Sequence, residues 1–500
     1  MNFVSIYIIF ILHYFMLCNG AKILSIESIA GKSHWNFLSS VLNELSTEHE
    51  VTVLTPFLDG NRENYTEINS ESLHYLILDL DITFMFKFFK NPIMSLLLLT
   101  IYQRKFCDRL IDHEFVKKII RGEQKFDIIV LEPFWSSCTA FIGHKLGIPQ
   151  IYVVPTPIPT QSMPLYTGLY YNPSYESHFS YPKRIPNGFY DRLSNTVLFL
   201  TTITIPWLVN TVQNLYNKKM YDIEELKHDP SLIFVNGNPI TDVPKVLQPN
   251  VINVGGIHLK TPKEIPEDIY EFIESSNEGV IFFSFGSSLS MSTLPEKIEK
   301  AFKEAIAQLP QRVLWKYEGE MKDKPANVMT KKWFPQRDIL LHPKVKLFIS
   351  HGGISGMYEA VDAGIPVLGF PIFYDQPRNM ANLVDIGMAI SMDLFSVTKE
   401  TLFDAINKII NDETYTKNAK EISIQFKDRH MSPAETVVYW TDYVIRHKGA
   451  PHLKLQALKL SWYQFFLLDV ISVIVFPLLF ILYILFKLNR IFFRDIKKNV

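Results

Sequence analysis

The hydrophobic positions of the chain follow two spacings that alternate along its first half. Short apolar runs occupy 22–26, 51–54, 126–131 and 150–154. Between the first two runs, a helical spacing of three and four residues connects Leu38, Val41, Leu42 and Leu45. Strands that alternate with helices predict βαβ units, and therefore a mostly parallel sheet that is covered on both faces.

The same pattern restarts after residue 230. Further apolar strands are predicted at 232–235, 279–284, 313–316, 345–350 and 366–369, with a helix at 295–307. Pro239, Pro244 and Pro249 mark a linker between the two halves. We therefore predict an α/β protein with two doubly wound domains, 21–240 and 241–460, that face each other across a ligand-binding cleft.

Both ends of the chain carry apolar segments of a different kind. Residues 1–20 have a short apolar core followed by small residues, which predicts a secretory signal peptide; an uncleaved N-terminal anchor is the alternative. Within 461–486, the apolar run 465–486 would span about 33 Å as a helix, enough to cross a bilayer. A buried core helix is the alternative for this run.

The tail 487–500 is basic, which places it in the cytosol by the positive-inside rule and the preceding body in the lumen. Lys497 and Lys498 resemble a dilysine retrieval signal of the endoplasmic reticulum, although a basic stop-transfer flank has the same composition. Asn64, Tyr65 and Thr66 form a glycosylation sequon that would face the lumen. These features predict a single-pass protein of the endoplasmic reticulum membrane with a luminal body.

The segment 82–103 is less regular, with four phenylalanines ahead of an aliphatic run. It reads equally as a core helix of the first domain and as a segment that contacts the membrane or lines an acceptor site. Pro92 argues against one continuous membrane span.

Composition narrows the function classes. Hydrophobic residues make up 47% of the chain, so a large core is available and a mostly disordered protein is excluded. Lys and Arg number 50 against 51 Asp and Glu, which argues against a nucleic-acid partner. Of 3 cysteines, Cys107 and Cys138 remain after removal of the leader, which excludes a disulfide scaffold and leaves their pairing open.

The stretch 333–379 carries the most chemistry. His351, Gly352 and Gly353 follow the predicted strand 345–350 and precede a helix that runs through Glu359. A strand, a glycine turn and a helix start favour an anion such as a diphosphate. Trp333 offers a flat face for a base, and Glu359 can accept hydrogen bonds from ribose hydroxyls. The chain lacks a P-loop and a Gly-x-Gly-x-x-Gly after its first strand, so P-loop and dinucleotide enzymes are disfavoured.

This ordered stretch resembles the signature of the UDP-glycosyltransferases, in particular the membrane-bound animal branch that includes the UDP-glucuronosyltransferases. The runs 254–257, 283–287 and 446–450 resemble further landmarks of that family. The resemblance implies a GT-B fold that transfers a sugar with inversion, from a UDP-sugar held by the second domain to a small lipophilic acceptor held by the first. The phenylalanine- and isoleucine-rich composition and Glu132 resemble insect members of the family, which favours glucose as the transferred sugar. No metal and no cofactor is implied, since the UDP-sugar is a co-substrate.

The same resemblance implies roles for individual residues of the second domain. Trp333 would stack on uracil, Gln336 would contact the nucleoside, and Glu359 would bind the ribose. The diphosphate would be held by Ser287, His351, Gly353, Ser355 and Gly356. The sugar hydroxyls would be bound by Asp375 and Gln376.

In the first domain, His34 is the candidate general base. It lies in the turn that opens the first helix, at the carboxyl edge of the sheet, and matches the family's catalytic histidine. Its carboxylate partner is expected at Glu132, where the family has aspartate; Asp127 lies at the wrong end of its strand. Glu132 would orient the ring and stabilise the imidazolium.

Two rival functions remain at the level of sequence. One is an idle family member that binds lipophilic ligands or serves as a partner subunit, but His34, Asp375 and Gln376 are all present. The other is a soluble epimerase of the same fold, against which the leader and the anchor argue. Self-association, or assembly with a related chain, is left open.

Overall fold

A computed structural model of the chain describes residues 20–74, 83–84, 87–88, 92–134, 137–157, 162–179, 181–217, 219, 228–287 and 289–496. The predicted leader apart from Gly20, parts of the segment 82–103, and the lysine pair Lys497 and Lys498 lie outside the described residues.

The first domain is built on a parallel sheet with the strand order β3-β2-β1-β4-β5-β6-β7. Its strands are β1 Lys22–Ile26, β2 Glu50–Thr55, β3 Tyr65–Asn69, β4 Ile128–Leu131, β5 Gln150–Val154, β6 Leu232–Val235 and β7 Val251–Asn253. The strand order reverses between β1 and β4, so the crevice at the carboxyl ends of these two strands is a ligand position.

Helices cover both faces of this sheet. They are α1 Lys32–Leu45, α2 Pro92–Asp112, α3 Glu114–Ile120, α4 Ser137–Leu146, α5 Met163–Thr167 and α6 Phe189–Asn217. The four leucine and valine positions that predicted α1 are all buried in one core cluster with β1, β2 and β4. Cys107 in α2 and Cys138 in α4 form a disulfide with Cα atoms 5.4 Å apart, which settles the pairing that the sequence left open.

The second domain repeats the plan with the parallel order β10-β9-β8-β11-β12-β13. Its strands are β8 Val280–Ser284, β9 Arg312–Lys316, β10 Val328–Lys331, β11 Val345–Ser350, β12 Val367–Gly369 and β13 Ala389–Ser391. Its helices are α7 Glu267–Glu274, α8 Glu296–Ile306, α9 Gln336–Leu340, α10 Ile354–Ala363, α11 Gln376–Asp385, α12 Lys399–Asn411, α13 Glu413–Lys427 and α14 Pro433–Arg446. The reversal lies between β8 and β11, opposite its counterpart in the first domain.

The chain crosses between the domains twice. Strand β7 pairs with β6, so the first sheet continues past residue 240, where the sequence analysis placed the boundary. Near the other end, α14 returns to the first domain and buries Val437 and Val444 in the core cluster that contains Trp35 and Val41. Each domain is therefore defined by its sheet, and no single position in the sequence divides one domain from the other.

Two helices among the described residues are long and apolar enough to cross a membrane, Phe189–Tyr216 and Leu468–Arg490. The first lies within α6, which the sequence analysis did not anticipate, and it packs into the first core through Phe199 and Ile203. The second lies within α16 Leu468–Ile496 and is exposed along its length, which fits the predicted transmembrane helix.

The short helix α15 Trp462–Phe465 precedes α16 and docks on the first domain. The ring of Tyr170 lies 4.8 Å from that of Phe465 and 4.9 Å from that of Phe466. The first domain is therefore held next to the base of the apolar helix.

Candidate active site

A cavity of about 440 Å³ lies between the two domains. The first domain contributes Ser33, His34 and Tyr102 to its wall, and the second contributes residues that include His351 and Asp375. The cavity therefore lies where the carboxyl edges of the two sheets meet, as doubly wound folds place their ligands.

His34 and Glu132 are brought together by the pairing of two neighbouring strands. His34 is in the first turn of α1, shortly after β1, and Glu132 directly follows β4. Because Ile26 and Leu131 are partners at the ends of these parallel strands, the residues that follow them meet. His34 Nδ1 lies 2.6 Å from Glu132 Oε1, across a sequence separation of 98 residues.

Asp127 lies at the opposite end of β4. Its Oδ2 accepts a hydrogen bond from the backbone N–H of Lys22 at 2.7 Å. This carboxylate therefore secures the amino end of β1 and is remote from His34.

The charge of Glu132 controls the state of the histidine. Glu132 is 1% exposed, whereas His34 keeps 21% of its side chain exposed to the cavity. Burial lowers the pKa of His34, but the charge and hydrogen bond of Glu132, together with the charge of Asp375, raise it more, so the net pKa lies above its ordinary value. In the neutral ring, a carboxylate at Nδ1 favours the tautomer with the hydrogen on that nitrogen, which leaves the lone pair on Nε2.

The glycine turn after β11 is fitted closely to its surroundings. Gly352 has a φ of +81°, and a Cβ there would lie 2.6 Å from Met380 Cγ. A Cβ on Gly353 would lie 2.6 Å from His351 Nε2. Only glycine fits at these two positions. The backbone N–H groups of the first turn of α10 are next to His351, and the start of a helix is a position suited to an anion.

His351 is neutral in this setting. Burial, reinforced by the charge of Lys316, lowers its pKa to about 4. Lys316 ends β9, lines the same cavity and pairs with Glu318 Oε1 at 2.5 Å. The sequence analysis did not select Lys316, although a lysine at the carboxyl end of a buried strand, next to β8, was an available signal.

The three residues that the sequence predicted to contact the nucleoside all line the cavity. Trp333 is 63% exposed and lines the cavity, while the adjacent Phe334 is buried. Gln336 Nε2 donates a hydrogen bond to Glu359 Oε2, so these two residues form one unit. Burial raises the pKa of Glu359 to about 7.

The two residues that the sequence predicted to bind the sugar, Asp375 and Gln376, are held by hydrogen bonds within the protein. Asp375 Oδ2 accepts from Asn379 Nδ2 at 2.8 Å, and burial raises the pKa of Asp375 to about 6. Gln376 Oε1 accepts from the backbone N–H groups of Ile372 at 2.8 Å and of Phe373 at 3.1 Å. The amide oxygen of Gln376 is therefore used within the loop, and its Nε2 is the group left for a ligand.

Asn379 was not assigned a role from the sequence. Besides Asp375, its Nδ2 donates to the carbonyl of Gly352 at 3.1 Å and so connects Asp375 to the glycine turn. Its spacing of four residues from Asp375 on one helix was the signal that could have found it.

The predicted site residues thus converge on one place. All of them except Glu132 line the cavity, including Ser287, Ser355 and Gly356, and Glu132 reaches it through His34. Two doubly wound domains that face each other across a shared cleft are the arrangement of the GT-B fold.

Comparisons with known proteins identify the family. Residues 21–500 match the family described as "UDP-glucoronosyl and UDP-glucosyl transferase". UDP-glucosyltransferase 2 of Dactylopius coccus is 38% identical over 91% of this chain and 90% of its own length. Human UDP-glucuronosyltransferase 1A3 is 29% identical over 91% of this chain and 88% of its own length. The chain belongs to this family and is a UDP-glycosyltransferase.

A solved structure agrees on the fold. A variant of Os79 from O. sativa, in complex with UDP, matches with a TM-score of 0.57 over 85% of this chain and 100% of its own. At 12% identity this similarity establishes the GT-B fold alone.

Proposed function

We propose that this enzyme transfers glucose from UDP-glucose to a hydroxyl group of a small lipophilic acceptor, with inversion at the anomeric carbon. The observation that carries the proposal is the contact of 2.6 Å between His34 Nδ1 and Glu132 Oε1 at the edge of the donor cavity. Glucose is favoured because the similar Dactylopius coccus protein is a UDP-glucosyltransferase.

The proposed reaction is a single displacement. His34 Nε2 takes the proton of the acceptor hydroxyl while Nδ1–H remains bonded to Glu132. The acceptor oxygen attacks the anomeric carbon on the face opposite UDP. The new carbon–oxygen bond forms as the bond to the β-phosphate oxygen breaks. UDP leaves with the electron pair of that bond, and the proton stays on His34, where the charge of Glu132 stabilises it.

The charge on the departing UDP requires stabilisation from the second domain. Neutral His351 can donate a hydrogen bond, Lys316 supplies a positive charge, and the first turn of α10 supplies backbone N–H groups. These groups supply the proposed stabilisation without a metal ion or cofactor.

The acceptor side of the cavity supports a lipophilic substrate. Ile29, Leu99, Tyr102 and Pro155 line it on the first domain. Leu99 and Tyr102 belong to α2, within the segment 82–103 whose role the sequence left open, and their position favours the acceptor-lining interpretation.

We also propose that the enzyme is a single-pass protein of the endoplasmic reticulum with a luminal body. The apolar helix Leu468–Arg490 supports an anchor. The disulfide between Cys107 and Cys138 supports an oxidising compartment, because disulfides are rare in the cytosol. Protease added to sealed microsomes should remove only the C-terminal tail, and digestion of the body would contradict this topology.

The activity is tested in microsomes that express the chain. UDP-glucose, UDP-glucuronic acid and UDP-galactose are each supplied with a panel of phenols and polyketides, and the anomer of the product is read by NMR. We expect a β-glucoside from the α-linked donor, and about a hundredfold less product or lower from the His34→Ala variant. Tight binding of UDP without transfer to any acceptor would favour the idle, ligand-binding alternative.

A further inference from the structure

A buried arginine links the segment that contains Asp375 and Gln376 to the first domain. Arg378 is in the first turn of α11, two residues after Gln376, and is 6% exposed. Its Nη2 lies 2.9 Å from Asp242 Oδ1, and its Nη1 donates to the carbonyl of Ser177 at 3.2 Å. Asp242 precedes β7, and Ser177 lies between α5 and α6, so both partners are on the first-domain side.

Asp242 is fixed in its ionised form for this contact. Its other oxygen, Oδ2, accepts from Lys245 Nζ at 2.7 Å. Burial alone would raise the pKa of Asp242, yet the charges of Lys245 and Arg378 hold it well below its ordinary value. The guanidinium of Arg378 therefore contacts the ionised Asp242 carboxylate with one nitrogen and the Ser177 carbonyl with another. The planar set of N–H donors of arginine suits two such acceptors.

A second contact reaches the same segment from its other end. The ring of Phe179 lies 4.6 Å from that of Tyr374. Tyr374 immediately precedes Asp375 and has a φ of 56°, in the left-handed region that L-residues seldom adopt. First-domain contacts at Tyr374 and Arg378 thus enclose Asp375 and Gln376 between them.

We infer that Arg378 is a positioning residue that ties the sugar-recognising segment to the first domain, so that donor-sugar binding depends on the contact between domains. Arg378 acts through Asp375 and Gln376 and does not contact the donor. The inference rests on the proposed function, because it takes these two residues to be the sugar contacts.

The test compares UDP-glucose with UDP by calorimetry and by kinetics. Arg378→Met and Asp242→Asn should weaken UDP-glucose binding and raise its KM by about tenfold or more. UDP affinity should change by no more than about twofold, because the uracil and diphosphate positions have other partners. Arg378→Lys keeps the positive charge but loses the planar arrangement of donors. Its affinity for UDP-glucose should therefore lie between those of the wild type and Arg378→Met.

The matched control is Lys303→Met, which removes an ion pair with Glu299 (3.4 Å) inside α8, away from the cleft. It should behave as wild type. A folded Arg378→Met protein with wild-type affinity for UDP-glucose would overturn the inference, and so would an equal loss of affinity for UDP. If Arg378→Met does not fold, Arg378→Lys and Asp242→Asn decide by the same two criteria.

Failure of this inference can be told from failure of the proposed function. Calorimetric binding of UDP-glucose and UDP requires no turnover. A wild-type enzyme that binds UDP-glucose but transfers nothing would contradict the proposed function alone, and the ratio of the two affinities would still test Arg378.

Discussion

The two halves of the cleft obtain their chemistry in different ways. In the donor half, nine of the ten residues predicted from the sequence lie in one continuous stretch, 333–376. In the acceptor half, the two proposed catalytic residues are 98 positions apart and meet because β1 and β4 are neighbours. Residues that lie close together in the sequence can be recognised as a motif. The contact between His34 and Glu132 instead depends on which strands are neighbours in the sheet.

The comparison also predicts that the two functions are separable. Since the proposed UDP contacts and the proposed base belong to different domains, removal of the base should leave UDP affinity intact. Each of the following variants tests that separation.

The largest effect is expected in the acceptor half. His34→Ala removes the proposed base and should lower kcat for hydroxyl acceptors by about 10²–10⁴, the usual contribution of such a group. UDP affinity, measured by calorimetry, should stay at the wild-type value. Equal losses of turnover and UDP affinity would show that the halves are not separable.

A smaller effect is expected in the donor half. His351→Ala removes a neutral donor from a buried, charged ligand, and a hydrogen bond to a charged group contributes about 1.5–3 kcal/mol. UDP affinity should therefore fall about tenfold to a hundredfold. Unchanged affinity in a folded variant would contradict the assignment of the diphosphate position.

Glu132 gives a pH-dependent test of the acceptor half. The raised pKa of His34 means that the ring is protonated, and inactive as a base, at pH values below that pKa, so turnover should rise with pH through it. Glu132→Gln removes the charge that raises this pKa, and should move the acidic limb of kcat/KM to lower pH.

At its optimum, Glu132→Gln should lose less rate than His34→Ala, because an amide still holds the ring but does not offset the imidazolium charge. Glu132→Asp should retain much of the activity, because it keeps the charge with one methylene less of reach. If the acidic limb of the Glu132→Gln profile stays at the wild-type pH, Glu132 does not raise the pKa of the base.

The smallest effect is expected at Asp127, which is the matched control for Glu132 on the same strand. Asp127→Asn should leave the rate per folded enzyme nearly unchanged, because the hydrogen bond of this side chain in the described part of the chain is to the start of β1, far from His34. Loss of turnover in Asp127→Asn but not in Glu132→Gln would reverse the assignment of the carboxylate.

Local patterns predicted much of this fold because they record which side chains are buried. The strand predicted at 22–26 is β1 without change, and the strand at 150–154 is β5. Short peripheral strands escaped the same reasoning. β3 has a partly polar sequence, YTEIN, and β7 is only three residues long. Both strands are stabilised by pairing with the adjacent strand of the sheet. Their apolar pattern alone is too weak to distinguish a strand from a loop.

What the sequence by itself determined is the two-domain α/β plan, the apolar C-terminal helix and ten residues of the second domain that line the cavity. Tertiary structure alone decided how Gln376 is oriented, that Lys316 joins the cavity and that Arg378 reaches Asp242. The physical reason is that burial periodicity is local along the chain. Hydrogen-bond direction and contacts between domains instead depend on the positions of residues far apart in sequence, which are fixed only when both sheets are assembled.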